Sequence, residues 1–500
     1  MAVRDLGAHG PVDLAAVVPA GGRRRRPVRS PEGVSGPLLP RRAWLAAAAG
    51  TVLAAGVPLA GCGTHPRPVL QQSGTTLHVA LDVYALEKIS TTHERAGFYR
   101  QVLDEFESAH RGIRVQQVGF LSTAANMAAI IAGRAADVFP DEAPAYAGYV
   151  EQGMLLRLDP YLQRDAVDPS IWSPSLVQTF RTATGTYGLS RDINVYVFAV
   201  RLSDFDALGL SYPSPDWTYV EFADLAAALA RPSPSRRYGA VFSGGILGFR
   251  EVIAGFGGSI TNATHTLQTL TSAAGAAAGK WLFEGLVWPG AVALGGAPNL
   301  GDDSASVQEI QGHSLLTLFE QWGSAFKWAL YPPPQYPHGR FGNLGAAFWA
   351  INAGTRHPDA AWTLLHWLSA EPVYQRFMMK TFLFPPALTA LMTEWRQTVE
   401  SVAPGLRGRG LRWIVEGARQ GWGVPQPHFR YANVQAFLID DQWWQRLLQR
   451  TVGVPTAFGQ ADAQVNALEA VAAREAPISL ATLQAAQLRA RRRLQQMFGT

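Results

Sequence analysis

Leu77-His78-Val79-Ala80-Leu81 is a short apolar run after a turn-rich stretch, and it reads as a buried strand. A polar loop through His93 follows. Phe98, Val102, Leu103 and Phe106 then recur at three- and four-residue steps, with Arg100, Asp104, Glu105 and Glu107 on the other side, the pattern of an amphipathic helix. Gly112 stops it. Ile113-Arg-Val-Gln-Gln-Val118 is a second strand, Asn126 to Ala132 a second helix stopped by Gly133, and Ala136-Asp-Val-Phe139 a third strand. Strand and helix alternating at this spacing predict a parallel sheet with covering helices.

The mixture continues downstream. Val195 to Val200 is an apolar, β-branched strand. Thr218 and Glu221 form a capping-box signature at the head of a helix that runs to Ala230. Phe242 to Ile260 is rich in glycine and aromatics. Gly345 to Asn352 reads as a strand, and His357-Pro358-Asp359 opens an amphipathic helix over Ala360 to Ser369. The tail from Leu480 places Leu483, Leu494 and Met497 near one helical face. No repeat interrupts the chain, and its density of elements predicts one continuous α/β body.

Composition narrows the class. The 500 residues are 48% hydrophobic and 10% aromatic, which excludes a wholly disordered chain. One cysteine excludes a disulfide scaffold and a thiolate zinc cluster. Residues 1–61 hold eight of the 43 basic and three of the 38 acidic side chains, so the remainder carries 35 of each. A neutral body lacks the basic footprint of a nucleic-acid binder.

The basic leader has its own grammar. Arg41-Arg42 precedes an uncharged, alanine-rich run from Ala43 to Gly61 broken by Gly50, Gly56 and Pro58. Charge, a modest apolar stretch and a small-residue end describe an export signal, and alanine and glycine insert too weakly for a permanent span. The paired arginines resemble a twin-arginine signal, with Pro40 where Ser or Thr is usual. Leu59-Ala60-Gly61-Cys62 matches the bacterial lipobox, in which the thiol and the new amine of Cys62 receive acyl chains. Such chains would hold the protein at the outer face of the bacterial cytoplasmic membrane. Gly63 to Gly74 reads as a flexible tether.

Four ordered segments then carry a resemblance. Ala132-Gly-Arg-Ala-Ala-Asp137-Val138-Phe139 with Tyr149-Val-Glu-Gln-Gly153-Met-Leu155 is the first, with Ala136 in place of a usual proline. Tyr187-Gly188-Leu189 through Leu202, then Gly209-Leu210 and Asp216-Trp217, is the second, with Ser190 and Ala199 replacing the usual proline and asparagine. Gly312 to Trp322 and Gly345 to Leu368 complete the set. In this order they resemble the extracellular solute-binding proteins of ATP-binding-cassette importers, in the carbohydrate-binding cluster that includes maltose-binding protein. The resemblance implies a two-lobed α/β fold of the periplasmic-binding-protein type II, with discontinuous lobes, a hinge and a ligand cleft between them. Lobe 1 is expected over 76–192 and 344–390, lobe 2 over 193–343 and 391–500. Crossings are expected near Asp192 to Asn194, near Gly342 to Leu344, and between Pro385 and Pro404. It implies a monomer without cofactor or metal that hands a small polar solute, a carbohydrate above all, to membrane permease subunits.

Sugars present hydroxyls all round and apolar patches on their ring faces, so aromatics, carboxylates and Arg forks suit them. The resemblance puts Trp322 at the stacking aromatic, the other reading being a core tryptophan. It puts Asp192 at a carboxylate of the first crossing, preceded by Arg191, the other reading being a hinge ion pair. Asp82 and Tyr84 follow the first strand, and Asp141 and Glu142 the third, at the sheet end where α/β ligands gather. These acids bind solute or cap helices. Phe242, Phe249 and Arg250 are candidates for the second lobe's wall, and Tyr431 for a late aromatic contact.

Enzyme motifs fail on inspection. His93-Glu94 lacks the second histidine of a zinc protease, and Gly275-Ala-Ala-Ala-Gly279-Lys280 is a phosphate loop one residue short, with Trp281 where a hydroxyl belongs. No Gly-x-Ser-x-Gly elbow occurs. A secreted carbohydrate hydrolase using paired carboxylates is the competing expectation.

Overall fold

A computed structural model describes residues 74–81, 92–119, 122–231, 237–295, 298–323, 325–430 and 433–474. The export signal, Cys62, the tether and the tail from Leu480 lie outside the described residues, as do Asp82, Tyr84 and Tyr431. The strands are β1 (Thr75–Leu81), β2 (Ile113–Gly119), β3 (Val138–Glu142), β4 (Arg181–Thr182), β5 (Gly185–Thr186), β6 (Gly188–Arg201), β7 (Tyr238–Phe242), β8 (Val292–Leu294), β9 (Ala305–Gln311), β10 (Trp328–Tyr331), β11 (Gln335–Tyr336), β12 (Gly339–Arg340), β13 (Gly342–Ile351) and β14 (Gly423–Val424).

Ten of these make one mixed sheet in the order β2-β1-β3-β13-β6-β9-β7-β8, with β10 on β6 and β14 on β13. The first three strands are parallel, joined by the helices Thr92–Ala109 and Thr123–Ile131. A parallel pair needs such a crossover, and the alternation of strand and helix periods supplies it here. The Thr123 helix starts where Ser122 accepts from the amide of Ala125. Thr218 and Glu221 form a complete capping box on Tyr219–Leu229.

The middle of the sheet is different. β13 runs antiparallel to β3 and to β6, and β6 antiparallel to β9. The strand expected over Val195 to Val200 is the far end of a 14-residue strand, buried along most of its length. Through Val195 it pairs with β13, and from Tyr196 with β9. One face of its second half, Phe198 and Val200, enters a core with Trp217, Phe222, Phe242, Phe249, Phe283, Trp444 and Phe458. Leu189, Ile193, Val195 and Val197 enter another, with Phe106, Phe139, Tyr149, Phe348, Trp349, Trp362 and Tyr374. Strand periodicity of two divides one chain segment between two hydrophobic bodies. The helices Met392–Val402 and Arg412–Gln420 belong to the first body through Trp395, Val399 and Ile414, although they follow the expected boundary at 390.

Candidate functional site

β6 carries a bulge in the half that packs on the first core. Ala347 pairs with Asp192 but Phe348 with Ser190, so Arg191 is the extra residue. A bulge bends its strand and re-aims side chains. Here the Arg191 guanidinium meets the Asp192 carboxylate, with Nε and Nη2 donating to Oδ2 at 2.9 and 2.7 Å. Both side chains are buried. The displaced backbone is satisfied by the fully buried Gln375, which donates from Nε2 to the Arg191 carbonyl at 3.0 Å and accepts from the Ala387 amide at 2.8 Å. The segment at 385–386 runs alongside: the Ile193 amide donates to the Pro385 carbonyl, and Asp192 bridges to Pro386.

Ala347 is also the partner of Glu142, from the other side of β13. Residues level across a sheet share a face. Glu142, Ala347 and Asp192 therefore line one surface, and Arg191 Nη2 stands 4.0 Å from Glu142 Oε1. The Glu142 carboxyl is half exposed, and withdrawal from water, then Asp192 and Asp141, push it up to about 8. One step along β13, Gly345 pairs with Asn194, whose Oδ1 accepts from the His313 amide at 3.1 Å. Gly345 and Ala347 are thus small residues of the central strand flanked by polar ones on both neighbours. The His313 ring faces Phe384 edge-on at 5.9 Å.

The other expected site residues sit elsewhere. Trp322 is 2% exposed, its ring edge-on to Trp328 at 5.3 Å and beside Phe326. It closes the helix Leu315–Trp322, whereas the start of that segment, at His313, meets the crossing. An enclosed ring offers no face to a solute, so Trp322 is core. Phe242 is corrected in the same way: it is buried at the centre of the second core, edge-on to Phe198 at 5.4 Å. Phe249 is buried there as well. Arg250 is buried beneath β13 and donates from Nη2 to the Leu344 carbonyl. Asp141 turns inward, accepting from Tyr149 Oη at 2.8 Å, Thr123 Oγ1 at 3.0 Å and the Glu142 amide at 2.8 Å. It caps neither neighbouring helix: Glu142 is the N-cap residue of Ala143–Glu151, without a side-chain cap bond, and Ser122 caps Thr123–Ile131. The Asp141 carboxyl is raised by burial against its hydrogen bonds.

Asn194, His313 and Phe384 were missed. Asn194 lay inside the expected crossing and His313 opened a matched segment, so position along the motifs was the available signal. The Gly275 to Lys280 run is helical, and a side chain at Gly275 would strike the Leu270 carbonyl, so that glycine serves close packing. Among the described residues no group of three or more His, Cys, Asp or Glu could hold a metal, and no helix is long and apolar enough to cross a membrane. A cavity of about 420 Å³ lies in the first body, walled by Leu162, Val167, Trp172, Leu176 and Phe180 and ending at Ser190 beside the bulge.

Residues 90–375, more than half of the chain, match the model of the bacterial extracellular solute-binding protein family, and the chain belongs to that family. Solved structures share the fold. An ABC substrate-binding protein from Listeria monocytogenes in complex with cycloalternan is 18% identical with a TM-score of 0.61, covering 79% of this chain and 99% of its own. The sugar-binding protein MalE from Xanthomonas citri is 17% identical with a TM-score of 0.63, over 79% and 98%. UgpB from Mycobacterium tuberculosis in complex with glycerophosphocholine is 17% identical with a TM-score of 0.60, over 79% and 98%. No curated protein matches the sequence.

Proposed function

We propose that this chain is the substrate-binding lipoprotein of an ATP-binding-cassette importer, and that it captures a sugar or a related polyol unchanged and delivers it to the permease. The observation that carries the reading is the level formed by Glu142, Ala347 and Asp192, with Arg191 between the two carboxyls. Carboxyl and guanidinium groups beside small residues match hydroxyls in both senses, as donors and acceptors. Solved structures of the same fold include a sugar-binding protein and a complex with cycloalternan. Glu142, Asp192 and Arg191 are the proposed contacts, with Asp82, Tyr84 and Tyr431 joining them. The lobes of this reading meet along β6 and β13, which hinge as the solute is enclosed. Cys62 is acylated after cleavage at Gly61, and the protein works as a monomer on the outer face of the membrane.

The test is a thermal-shift screen of residues 76–500 against sugars, polyols and glycerophosphodiesters. A sugar or polyol should raise the melting temperature and be recovered intact. Stabilisation by a glycerophosphodiester alone would move the substrate class, and consumption of the sugar would favour a hydrolase. The anchor is tested separately by metabolic labelling with a fatty-acid analogue, which Cys62→Ala should abolish.

A further inference from the structure

Two glutamates meet on one residue of the crossing strand. The Asn343 amide donates to Glu251 Oε2 at 2.9 Å, and Asn343 Nδ2 donates to Glu309 Oε1 at 2.7 Å. Glu309 Oε2 also accepts from the Ser243 amide at 2.7 Å. Glu251 lies on the helix Gly245–Gly255, Glu309 on β9 and Asn343 near the start of β13, so the cluster ties three elements at the point where the chain leaves the second core. Glu251 is 0% exposed, Asn343 1% and Glu309 7%.

Glu251 Oε1, Asn343 Oδ1, Arg250 Nε and Tyr336 Oη are buried without a hydrogen-bond partner among the described residues. The carboxyl groups of Glu251 and Glu309 lie against each other. A buried carboxylate oxygen facing another carboxylate is repulsive, and an unsatisfied buried oxygen is costly. One proton removes both problems. We propose that Glu251 is a neutral carboxylic acid whose Oε1–H donates to Glu309, and that this shared proton pins β13 to the second core. Glu309 then accepts from Asn343, Ser243 and Glu251 together. Its charge is balanced by Arg250, whose positive charge bears on both carboxyls.

The surroundings agree. Arg250 faces the pair from the same helix, Tyr196 from β6 and Tyr336 from β11. Asp440 and Asp441 of the neighbouring helix Asn433–Leu448 form a separate cluster with Gln268 and Asp462. Burial, then the charge of Glu309 and contact with its carboxyl, raise the Glu251 carboxyl well above the ordinary range. A native acid held neutral binds a proton that the unfolded chain releases near its ordinary value of 4.5. Stability therefore falls as pH rises from there until the native carboxyl itself ionises and its proton goes to water. Ionisation leaves a second negative charge beside Glu309 and loosens the grip on Asn343.

Glu251→Gln tests this, because an amide copies the neutral acid: its oxygen accepts from the Asn343 amide and its N–H donates to Glu309. Urea unfolding of residues 76–500 is measured for both proteins, without solute, from about pH 5.5 to 7.5. The ratio of wild-type to variant unfolding constants should rise by about tenfold per pH unit, one proton's worth. Parallel pH profiles would overturn the shared proton. If E251Q does not fold, infrared spectra decide, recorded at pH 8 on protein carrying Glu142→Gln and Asp440→Asn so that neither acid contributes. A protonated-carboxyl band supports the pair, and its absence ends the proposal. Neither measurement depends on the solute, so failure here leaves the importer reading intact.

Discussion

Glu142 and Asp192 are both register partners of Ala347, one from each side of β13. The two acids are 50 positions apart in sequence, yet the sheet sets them level on one face, with Arg191 turned between them by the bulge. The residue between them is the smallest that still has a side chain.

If Glu142 contacts the solute as proposed, it sets a pH limit on binding. With its carboxyl pushed up to about 8, it is protonated at neutral pH and can donate a hydrogen bond to a solute. The donor is lost as pH rises through that value, so solute affinity should hold steady below pH 7 and weaken above 8. Glu142→Gln should flatten the profile. Calorimetric titrations across pH check this, and an alkaline decline unchanged in E142Q would remove Glu142 from the contact set.

Asp192→Ala should cost far more than its size. It strips two charge-assisted hydrogen bonds and the nearest carboxylate from the buried Arg191 guanidinium. About 3–5 kcal/mol of stability should go, read by urea denaturation. A loss near zero would mean that water solvates Arg191.

Trp322→Ala separates core from contact. Truncating a buried tryptophan against Trp328 should cost about 3–5 kcal/mol. Affinity for a solute found in the screen should stay within error at temperatures where the variant is folded. Weakened binding with normal stability would return the ring to the site.

Arg430 Nε donates to Glu151 Oε2 at 3.1 Å, linking the segment beside the second body to the helix Ala143–Glu151 of the first. Both side chains are partly exposed, so the pair is worth about 0.2–1 kcal/mol. Arg430→Glu should speed solute release by at most about fivefold, the rate equivalent of that energy. The double exchange with Glu151→Arg should restore it. Stopped-flow dissociation provides the measurement, and an uncorrected double variant would deny the pair a role in closure.

His428 stacks on His265 with ring centroids 3.7 Å apart, and burial, then its neighbour, push it down to about 3. The native ring stays neutral while the unfolded one titrates at 6.5. This contribution is whole above that value and is lost as pH falls through it toward 3. His428→Phe keeps a stacking ring without a proton site, so its melting temperature should fall less steeply between pH 6.5 and 4.5. Identical slopes would show that the ring is charged in the native protein.

The sequence made the first three strands and their helices legible because each has one period and one buried face. The capping box at Thr218 was equally local. The length of β6 was not: Arg191, Asp192 and Asn194 are polar residues buried within the strand, so the stretch Arg191-Asp192-Ile193-Asn194 reads as polar and only Val195 onward as a strand. Nor was the bulge, which is defined by what lies opposite on β13 rather than by Arg191 itself. Glu142 was singled out because α/β sheet ends gather ligands, and Asp192 because the resemblance aligns it with a carboxylate of the first crossing. Trp322 and Phe242 misled because residue type announces stacking ability but not whether a ring's faces are already taken.

The sheet's order has a cost during synthesis. β3 finds its second neighbour only in β13, about 200 residues later, a long-range pairing of the kind that slows folding. Until Gly342 to Ile351 leaves the ribosome, that flank of the nascent half-sheet has an open row of amides and carbonyls, a template for association with other chains. A chaperone that shields the half-made edge should therefore matter more to the yield of this protein than any single contact in its finished core.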